Sequence, residues 1–384
     1  MTRADWVRLL LLWLGGVDLR LTLLAIPPLV PLIHRELHLD EKAVGVLVSG
    51  PVLILALAAV PGSLLVARLG IRRALFVGLG LTAVFGATRG VGPNAFVLYG
   101  SAFLMGIGVA VTQPVFPAIV REWFPRRIAV ATAAYSNGLL IGETLPTAFT
   151  TPVGALQLAH GDWRWALALW SLVVLLSGIA IVAAASSAAS GAVARPRWWP
   201  DWRASQTIRL GLVMGMASAA YFGANAYIPD FLEQTGRHNL ISPALGVLNA
   251  AQLLTAPTVA AWPRLLIGRF GFIASAAVMG VAQLGIVLIP GAAVVACAGF
   301  LGYSTALAFI AVLTYPPRLA PPGEVARMSA AIFTIQYGTA FVVPLVAGAL
   351  WDATGHAVLA FVPGIAAAAL MAYGTISLHI PKPA

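Results

Sequence analysis

Twelve long apolar runs dominate this sequence and leave few folds open to it. They cover residues 6–33, 43–67, 74–91, 96–120, 128–154, 164–186, 208–232, 243–266, 272–291, 293–316, 326–350 and 357–379. An α-helix needs about 20 residues to cross the hydrocarbon core of a bilayer, which is close to the length of each run. The runs do not show the alternation of a membrane β-barrel. The chain is therefore predicted to be an all-α membrane protein with twelve transmembrane helices.

The composition excludes a water-soluble domain of this size. Only 9% of the residues are charged and 60% are hydrophobic, with a mean hydropathy of +0.91. Soluble domains carry about 25% charged residues, so most of this surface must face lipid. The first run is too long for the core of a signal peptide and lacks a small-residue cleavage pattern, so we interpret it as a retained span.

The distribution of positive charge predicts the orientation in the membrane. The formal net charge of +10 does not indicate a nucleic-acid partner, because the basic residues form short clusters between apolar runs without an aromatic stacking platform. With the N-terminus inside, seventeen of the 23 Lys and Arg residues fall in cytoplasmic segments and five in outer segments, while Arg20 lies within a helix. This bias predicts that both termini are cytoplasmic.

The chain repeats itself. Residues 43–47 (AVGVL) resemble residues 244–248 (ALGVL) at an offset of 201, and Arg127 and Gly138 fall on Arg327 and Gly338 at an offset of 200. We expect two pseudo-symmetric six-helix halves, residues 1–187 and 208–384, joined by a cytoplasmic linker, residues 188–207. Parallel repeats of this kind place a solute site near the middle of the membrane.

One loop resembles a family signature. The segment from Ser63 to Arg73 (SLLVARLGIRR) resembles the loop after the second span in the major facilitator superfamily, although Ser63 and Ala67 replace its glycine and aspartate. The resemblance implies the major facilitator fold. It also implies that this is a gating loop, here carrying the residues Arg68, Gly70, Arg72 and Arg73. Without the aspartate, the case for a charge relay in this loop is weaker, whereas the fold is unaffected.

Other motifs resemble the cyanate and 2-nitroimidazole transporter branch of that superfamily. The first run reads Asp18-Leu19-Arg20-Leu21 and continues to Pro27-Pro28, similar to the N-L-R-P pattern of the branch. Further similarities lie in residues 115–125 (VFPAIVREWFP), Tyr135, Ser329, Gln336, Tyr337 and Gly338. The resemblance implies a transporter in the inner (plasma) membrane of a bacterium.

Arg20 is the residue most expensive to place in a membrane. It lies about fourteen residues from each end of the first run, and a central arginine costs about 2.5–3.5 kcal/mol on insertion scales. Its planar guanidinium suits a carboxylate or another planar anion. Arg20 is therefore either an anion-binding residue or the structural partner of a carboxylate on another helix.

Two carboxylates lie at similar depth. Asp18 precedes Arg20 by two residues, which is about 200° of helical rotation, so the two side chains should point to opposite sides. Asp18 is then expected to contact a neighbouring helix. Glu143 lies deep in the fifth run, where burial disfavours a charged carboxylate, so it is a candidate for taking up a proton or for pairing with Arg20. Both residues are predicted proton-coupling candidates.

Polar residues on other runs are candidates for lining a solute site. Asn249 and Gln252 are neighbours in the eighth run. The predicted solute-binding residues are Arg20, Gln113, Tyr135, Asn137, Tyr221, Asn225, Gln336 and Tyr337. Such polar groups also serve as packing contacts between membrane helices.

The same patterns exclude most enzyme classes. We find no Walker motif, no metal-ligand spacing among the six histidines and no nucleophile–base set, so no catalytic residue, metal or cofactor is predicted. The predicted function is secondary active transport of a small anionic solute by alternating access, with protons as the candidate coupling ion and the chain as a monomer in the lipid bilayer. The alternative is an efflux pump for neutral or lipophilic small molecules.

Overall fold

The computed structural model is helical throughout its regular elements. It describes residues 2–26, 29–37, 41–91, 94–150, 160–185, 198–262, 268–321, 323–376 and 378. Pro27 and Pro28 lie outside the described residues, as do residues 186–197, which include half of the predicted linker. In the described part, the bounds of the helices follow the predicted spans to within a few residues, apart from the interruptions described below.

The chain divides into two units by its internal contacts. One unit consists of residues 1–200 with residues 316–330, and the other of residues 201–315 with residues 331–384. The helices of the first unit are α1 (Arg3–Leu21), α2 (Val30–Leu37), α3 (Glu41–Thr88), α4 (Ala95–Thr112), α5 (Val115–Trp123), α6 (Ile128–Phe149) and α7 (Trp163–Ala184). Within it, α3 packs against α4 and α7, and α1 packs against α6 and α7.

The second unit repeats this helical pattern. Its helices are α8 (Ser205–Gln234), α9 (Ile241–Ala251), α10 (Thr255–Ala261), α11 (Arg269–Leu288), α12 (Ala293–Leu313) and α15 (Val362–Ile376). The short helix α13 (Pro316–Leu319) belongs to the first unit, and α14 (Val325–Thr354) begins in the first unit and continues in the second. Within the second unit, α12 packs against α9 and α11, and α15 packs against α8 and α11.

Eight helical segments in the described residues are long and apolar enough to cross a membrane. One of these, Gly50–Thr88, holds both the second and the third predicted spans. The two meet at Gly70, whose φ of 78° and ψ of 169° interrupt α3 in a conformation that glycine adopts without strain. The first, fifth and eighth predicted spans correspond to α1 with α2, to α6, and to α9 with α10.

Local sequence signals set several helix starts. Thr2 and Asp5 form a capping box, in which the Thr2 hydroxyl accepts from the Asp5 N–H at 3.2 Å and the Asp5 carboxylate accepts from the Thr2 N–H at 2.8 Å. The side chains of Asn94 and Asp162 cap α4 and α7, each accepting from the backbone N–H two residues later. These caps satisfy backbone N–H groups that the helix leaves without partners.

Candidate functional site

The first span is broken beside Arg20. Helix α1 ends at Leu21, a turn follows, and the chain becomes helical again at Val30. The expectation that Arg20 lies in the middle of one continuous helix is therefore wrong. The sequence explains the break, because proline lacks an N–H and disfavours a helical residue before it, and Pro27-Pro28 follows. Arg20 thus occupies the last turn of α1, where the helix dipole favours a cation.

Arg20 forms an ion pair with Glu143 of α6. The Arg20 Nε atom lies 3.2 Å from Glu143 Oε1, and the side chains are 8% and 19% exposed respectively. Two buried charges require good mutual geometry, because each has lost its hydration. The pair therefore compensates the cost of a buried guanidinium, while the Glu143 side chain keeps some exposed surface.

A close approach between α1 and α6 brings this pair together. A Cβ atom added at Gly16 would meet the carbonyl oxygen of Tyr135, and one added at Gly138 would meet that of Trp13. Gly142, next to Glu143, lies equally close to the backbone of Val17. Small residues at such positions let two membrane helices touch along their backbones.

Asn137 serves the same contact between helices. Its Oδ1 accepts a hydrogen bond of 2.9 Å from the Trp13 indole N–H, which links α6 to α1. Sequence reasoning did not identify Trp13, although an indole N–H in an apolar run usually finds an acceptor when it is buried.

Asp18 points away from Arg20, as predicted from the helical rotation. It is 0% exposed, and both of its carboxylate oxygens lie 2.7 Å from the hydroxyl oxygen of Ser177 on α7. The same hydroxyl lies 2.8 Å from the carbonyl oxygen of Val173. Among the described residues no basic group lies within 4.0 Å of Asp18. The expected contact with a neighbouring helix is therefore confirmed, and Ser177 is a partner that the sequence analysis missed.

The other predicted solute-binding residues of the first unit are packed inside it. Gln113 is 2% exposed and lies at the junction of α4 and α5. Tyr135 is 1% exposed and stacks on Phe116, with ring centroids 5.2 Å apart and planes 14° from parallel. Both lie in the first unit with the Arg20–Glu143 pair, where they are embedded in packing contacts.

Gln336 and Tyr337 are packed in the second unit. Each is 1% exposed. The Gln336 Nε2 atom donates to the hydroxyl of Ser218 on α8 at 3.0 Å, and the ring of Tyr337 stacks on Phe333 with centroids 6.3 Å apart. Gln336 therefore links α14 to α8 in the way that Asn137 links α6 to α1.

Tyr221 and Asn225 belong to a hydrogen-bonded cluster on α8 and α9. The Tyr221 hydroxyl donates to Asn249 Oδ1 at 2.5 Å, and Asn249 Nδ2 donates to Asn225 Oδ1 at 3.2 Å. Gln252 Nε2 donates to Asn249 Oδ1 at 3.4 Å. The sequence indicated these four residues in neighbouring pairs, but only the tertiary structure shows that Asn249 joins them into one group.

The predicted gating loop lies around Gly70. Arg68, Arg72 and Arg73 are exposed there. Ser63, which replaces the signature glycine, is 2% exposed, and its hydroxyl oxygen lies 2.8 Å from the Val60 carbonyl oxygen and 2.9 Å from that of Trp198. The loop therefore presents its arginines outward, while the serine contacts Trp198, near the middle of the predicted linker.

A second ion pair joins Glu36, which lies between the first two predicted spans, to Arg164 at the start of the sixth. Glu36 forms a two-pronged ion pair with Arg164, and one of its oxygens accepts from the Trp163 indole N–H at 2.7 Å. The guanidinium of Arg164 and then the indole of Trp163 hold the pKa of Glu36 below its ordinary value.

Among the described residues there is no group of three His, Cys, Asp or Glu side chains that would hold a metal ion.

Curated relatives of this chain are transport proteins. It is 25% identical over 237 residues to "Uncharacterized transporter YycB" of Bacillus subtilis (57% of this chain, 54% of that protein). It is 28% identical over 267 residues to "Cyanate transport protein CynX" of Escherichia coli (66% of each) and 26% identical over 372 residues to the "2-nitroimidazole transporter" of the same organism (89% and 87%). The matched region thus spans just over half of the first relative and about two thirds of the second.

Solved structures share the fold. The outward-conformation crystal structure of FucP superimposes with a TM-score of 0.73 at 13% identity, covering 97% of this chain and 99% of that chain. The human organic anion transporter MFSD10 (TETRAN) superimposes with a TM-score of 0.74 at 15% identity, covering 97% and 100%. At these identities the likeness concerns the fold, which is twelve transmembrane helices in two pseudo-symmetric six-helix halves.

The family model described as "Major Facilitator Superfamily" matches residues 12–344, which is most of the chain. The match includes Arg20 and Glu143 and extends into the eleventh predicted span. The chain is an integral membrane protein and belongs to the Major Facilitator Superfamily.

Proposed function

We propose that this chain is a secondary active transporter that moves a small anionic solute by alternating access, with Arg20 as the anion-binding residue. The observation that carries this proposal is the Arg20–Glu143 ion pair at the interruption of the first span. A guanidinium at this depth needs an anionic partner, and an ion pair that is partly exposed can exchange one anion for another. Membrane transporters commonly form solute sites at such broken helices.

The pair also suggests how a proton is coupled to the solute. Glu143 lies on the Nε side of Arg20, and we propose that an anion that binds the guanidinium displaces this carboxylate. A displaced Glu143 is a buried carboxylate without its cation, and burial then favours its protonated form. Binding of the anion and uptake of a proton therefore support each other, which favours symport of the two.

Asp18 is a second candidate for the proton. Its carboxylate shares one hydroxyl group, that of Ser177, which has a single hydrogen to donate and also lies near the Val173 carbonyl oxygen. If Asp18 carries a proton, it donates to the Ser177 oxygen while Ser177 donates to Val173, and every hydrogen has an acceptor. The mutation Asp18→Asn tests this role separately from Glu143.

Cyanate is the first solute to test, because one relative is a cyanate transport protein. We expect Arg20→Lys to insert normally and to bind the anion at least about tenfold more weakly, or about 1.4 kcal/mol, because lysine lacks the planar fork. Arg20→Ala should lose anion binding. Arg3→Ala, an exposed arginine on the same helix, is the matched control and should bind normally.

The proton coupling is tested in proteoliposomes. Glu143→Gln should abolish accumulation driven by a proton gradient while solute exchange across the membrane continues. An unchanged pH dependence in this mutant would show that Glu143 has a structural role only. Normal affinity for small anions in a folded Arg20→Ala protein would reject the anion site and favour the efflux of neutral or lipophilic compounds.

The proposal includes a membrane topology. Seventeen basic residues on one side against five on the other favour both termini in the cytoplasm of a bacterial cell, with the linker, residues 188–207, between the halves 1–187 and 208–384. Reporter fusions after Ala384 and within residues 186–206 should both read cytoplasmic, and opposite readings would reject this topology. A monomer in detergent, measured by light scattering, is the expected assembly.

A further inference from the structure

A neutral polar cluster lies deep in the second unit, where the hydrocarbon core would surround α8 and α9. Its members are Tyr221 and Asn225 on α8, Asn249 on α9, and Gln252, which follows α9; we call these four residues the amide cluster. Tyr221, Asn225 and Asn249 are partly exposed, and Gln252 is 6% exposed. Polar side chains at this depth are costly against lipid and are retained where they face protein or a cavity.

Asn249 organises the cluster and uses all of its hydrogen-bonding capacity. Its Oδ1 accepts from Tyr221 and Gln252, and its Nδ2 donates to Asn225 and, at 2.8 Å, to the Leu245 carbonyl oxygen. An asparagine amide has two lone pairs and two hydrogens. Asn249 therefore has nothing left for a ligand, but it orients the amides of its two neighbours.

Asn225 and Gln252 keep capacity that the described residues do not use. Asn225 Nδ2 donates to the Tyr221 carbonyl oxygen at 3.1 Å, which leaves one hydrogen and one lone pair of its Oδ1. Gln252 uses one hydrogen of its Nε2, which leaves the other hydrogen and its Oε1. Each of these two amides therefore still offers a donor beside an acceptor.

The helix is interrupted at the same place. Helix α9 ends at Ala251, residues 252–254 form a 3-10 turn, and α10 begins at Thr255. Pro257 explains the break, because it has no N–H to donate to the Leu253 carbonyl oxygen. Short 3-10 stretches within a helix often mark functional positions, and broken membrane helices commonly form solute sites.

The internal repeat places apolar residues where the second half carries two of these amides. At the offset of 201, the first half holds Val48 where the second holds Asn249, and Pro51 where it holds Gln252. The same architecture is thus built with apolar residues in one half and with amides in the other. A purely structural function would not explain why only one half carries the cluster and its free donors and acceptors.

We propose that the amide cluster binds an uncharged, planar group in which an N–H donor lies beside an acceptor, such as a primary carboxamide. A carboxamide meets a side-chain amide through two antiparallel hydrogen bonds, donor to acceptor and acceptor to donor. This inference rests on the proposed function only where it assigns the cluster to the transported solute. The hydrogen-bonding argument uses residues of the second unit alone. The carried solutes then include molecules with such a neutral group and are not limited to bare inorganic anions.

The test compares amides with ketones of the same shape. Acetamide with acetone and benzamide with acetophenone are pairs in which only NH2 is replaced by CH3. Their affinities are measured from the ligand-induced rise in melting temperature of the full-length detergent-solubilised protein. In the wild type, the amide of at least one pair should bind at least about tenfold more tightly than its ketone, because the ketone leaves polar groups of the site without partners.

Variants locate the effect. In Asn249→Leu the affinity for each amide should lie within about threefold of the affinity for its ketone. If Asn249→Leu does not fold, Gln252→Met gives the same test, because it removes one amide of the cluster and keeps Asn249. Gln283→Met removes a buried amide from α11 and should keep the amide preference. Arg20→Ala should keep it too, so that failure of the anion site and failure of the amide cluster are distinguishable. Equal binding of amides and ketones to the wild type, absence of binding by all four compounds, or an amide preference that survives both cluster variants would overturn the proposal.

Discussion

The two units each contain a broken helix with polar groups beside the break, but the chemistry of the two places differs. In the first unit the break follows Arg20, and the polar groups are an ion pair with Glu143. In the second unit the break follows Asn249, and the polar groups are uncharged. Prolines account for both interruptions, but the internal repeat does not relate the two places, because at the offset of 201 Asn249 falls on Val48 of the second span and Arg20 falls on Tyr221 of the seventh.

The difference indicates in which unit the loss of one polar side chain should reduce the stability of the fold more. A buried charge depends on its partner, since losing one member leaves the other without compensation, whereas an uncharged amide that loses a neighbour bears a smaller desolvation cost. We therefore expect changes in the first unit to have larger effects on stability than comparable changes in the second.

The largest effect is expected for Arg20→Ala. It leaves the Glu143 carboxylate without its guanidinium, and removing one partner of a buried ion pair costs about 3–5 kcal/mol. The melting temperature of the detergent-solubilised protein should fall clearly, and the double mutant with Glu143→Gln should recover most of the loss. If the double mutant is no more stable than Arg20→Ala, the two residues are not energetically coupled.

The next largest effect is expected for Gly138→Ala. Its new methyl group would meet the backbone of Trp13, so α1 and α6 must separate, at a cost of about 1–3 kcal/mol. The repeat-related Gly338 is the matched control, because a Cβ there meets nothing within 4 Å. Gly338→Ala should leave the melting temperature unchanged or slightly raised, and equal losses in both mutants would contradict the difference between the units.

A smaller effect is expected for Tyr221→Phe. This mutant loses the hydroxyl that donates to Asn249, and hydrogen bonds between membrane helices contribute about 0.6 kcal/mol on average. Thermal unfolding should show a small decrease, with Tyr373→Phe, whose side chain is 74% exposed, as an unaffected control. A loss as large as that of Arg20→Ala would show that the neutral cluster is as essential to stability as the ion pair.

The smallest effect concerns Glu36, an ion-paired carboxylate that is largely exposed. Because Arg164 lowers the pKa of Glu36, the ion pair stabilises the fold above the unfolded pKa of glutamate, about 4.3, and this contribution is lost as the pH falls through the lower folded pKa. Solvent screening limits it to at most about 1 kcal/mol. The difference in melting temperature between wild type and Glu36→Gln should therefore shrink as the pH is lowered from 7. A difference that does not shrink on acidification would point to a cause other than the charge of Glu36, and Glu233→Gln, an exposed carboxylate, is the control.

Much of the fold follows from local patterns. The apolar runs predict where the helices lie, because a segment without charges that is long enough to span the bilayer has no competing structure there. The opposite directions of Asp18 and Arg20 follow from the helical rotation alone and are confirmed by Ser177 and Glu143. The prolines after Arg20 and after Asn249 also indicate helix breaks, but the length of the apolar runs favoured continuous helices. The first span was therefore expected to be continuous.

The candidate site was predictable only in part. Depth in an apolar run identified Arg20, Glu143 and Asp18, because an ionisable group in lipid is always costly. It did not separate Tyr135, Gln336 and Tyr337, which are almost completely buried by packing, from Tyr221 and Asn225, which remain partly exposed. Polar residues in apolar helices look alike in sequence whether they bind a neighbouring helix or a ligand.

By itself the sequence determined the membrane class, the helical spans, the repeat and the residues that carry charge into the membrane, because hydropathy and helical period act within one segment. The tertiary structure alone decided which of these residues are partners. Contact between Gly16 on α1 and Gly138 on α6 joins Arg20 to Glu143, and packing of α8 beside α9 makes Asn249 the centre of the amide cluster. Such pairings depend on distances between segments far apart in the chain, and neither composition nor periodicity encodes those distances.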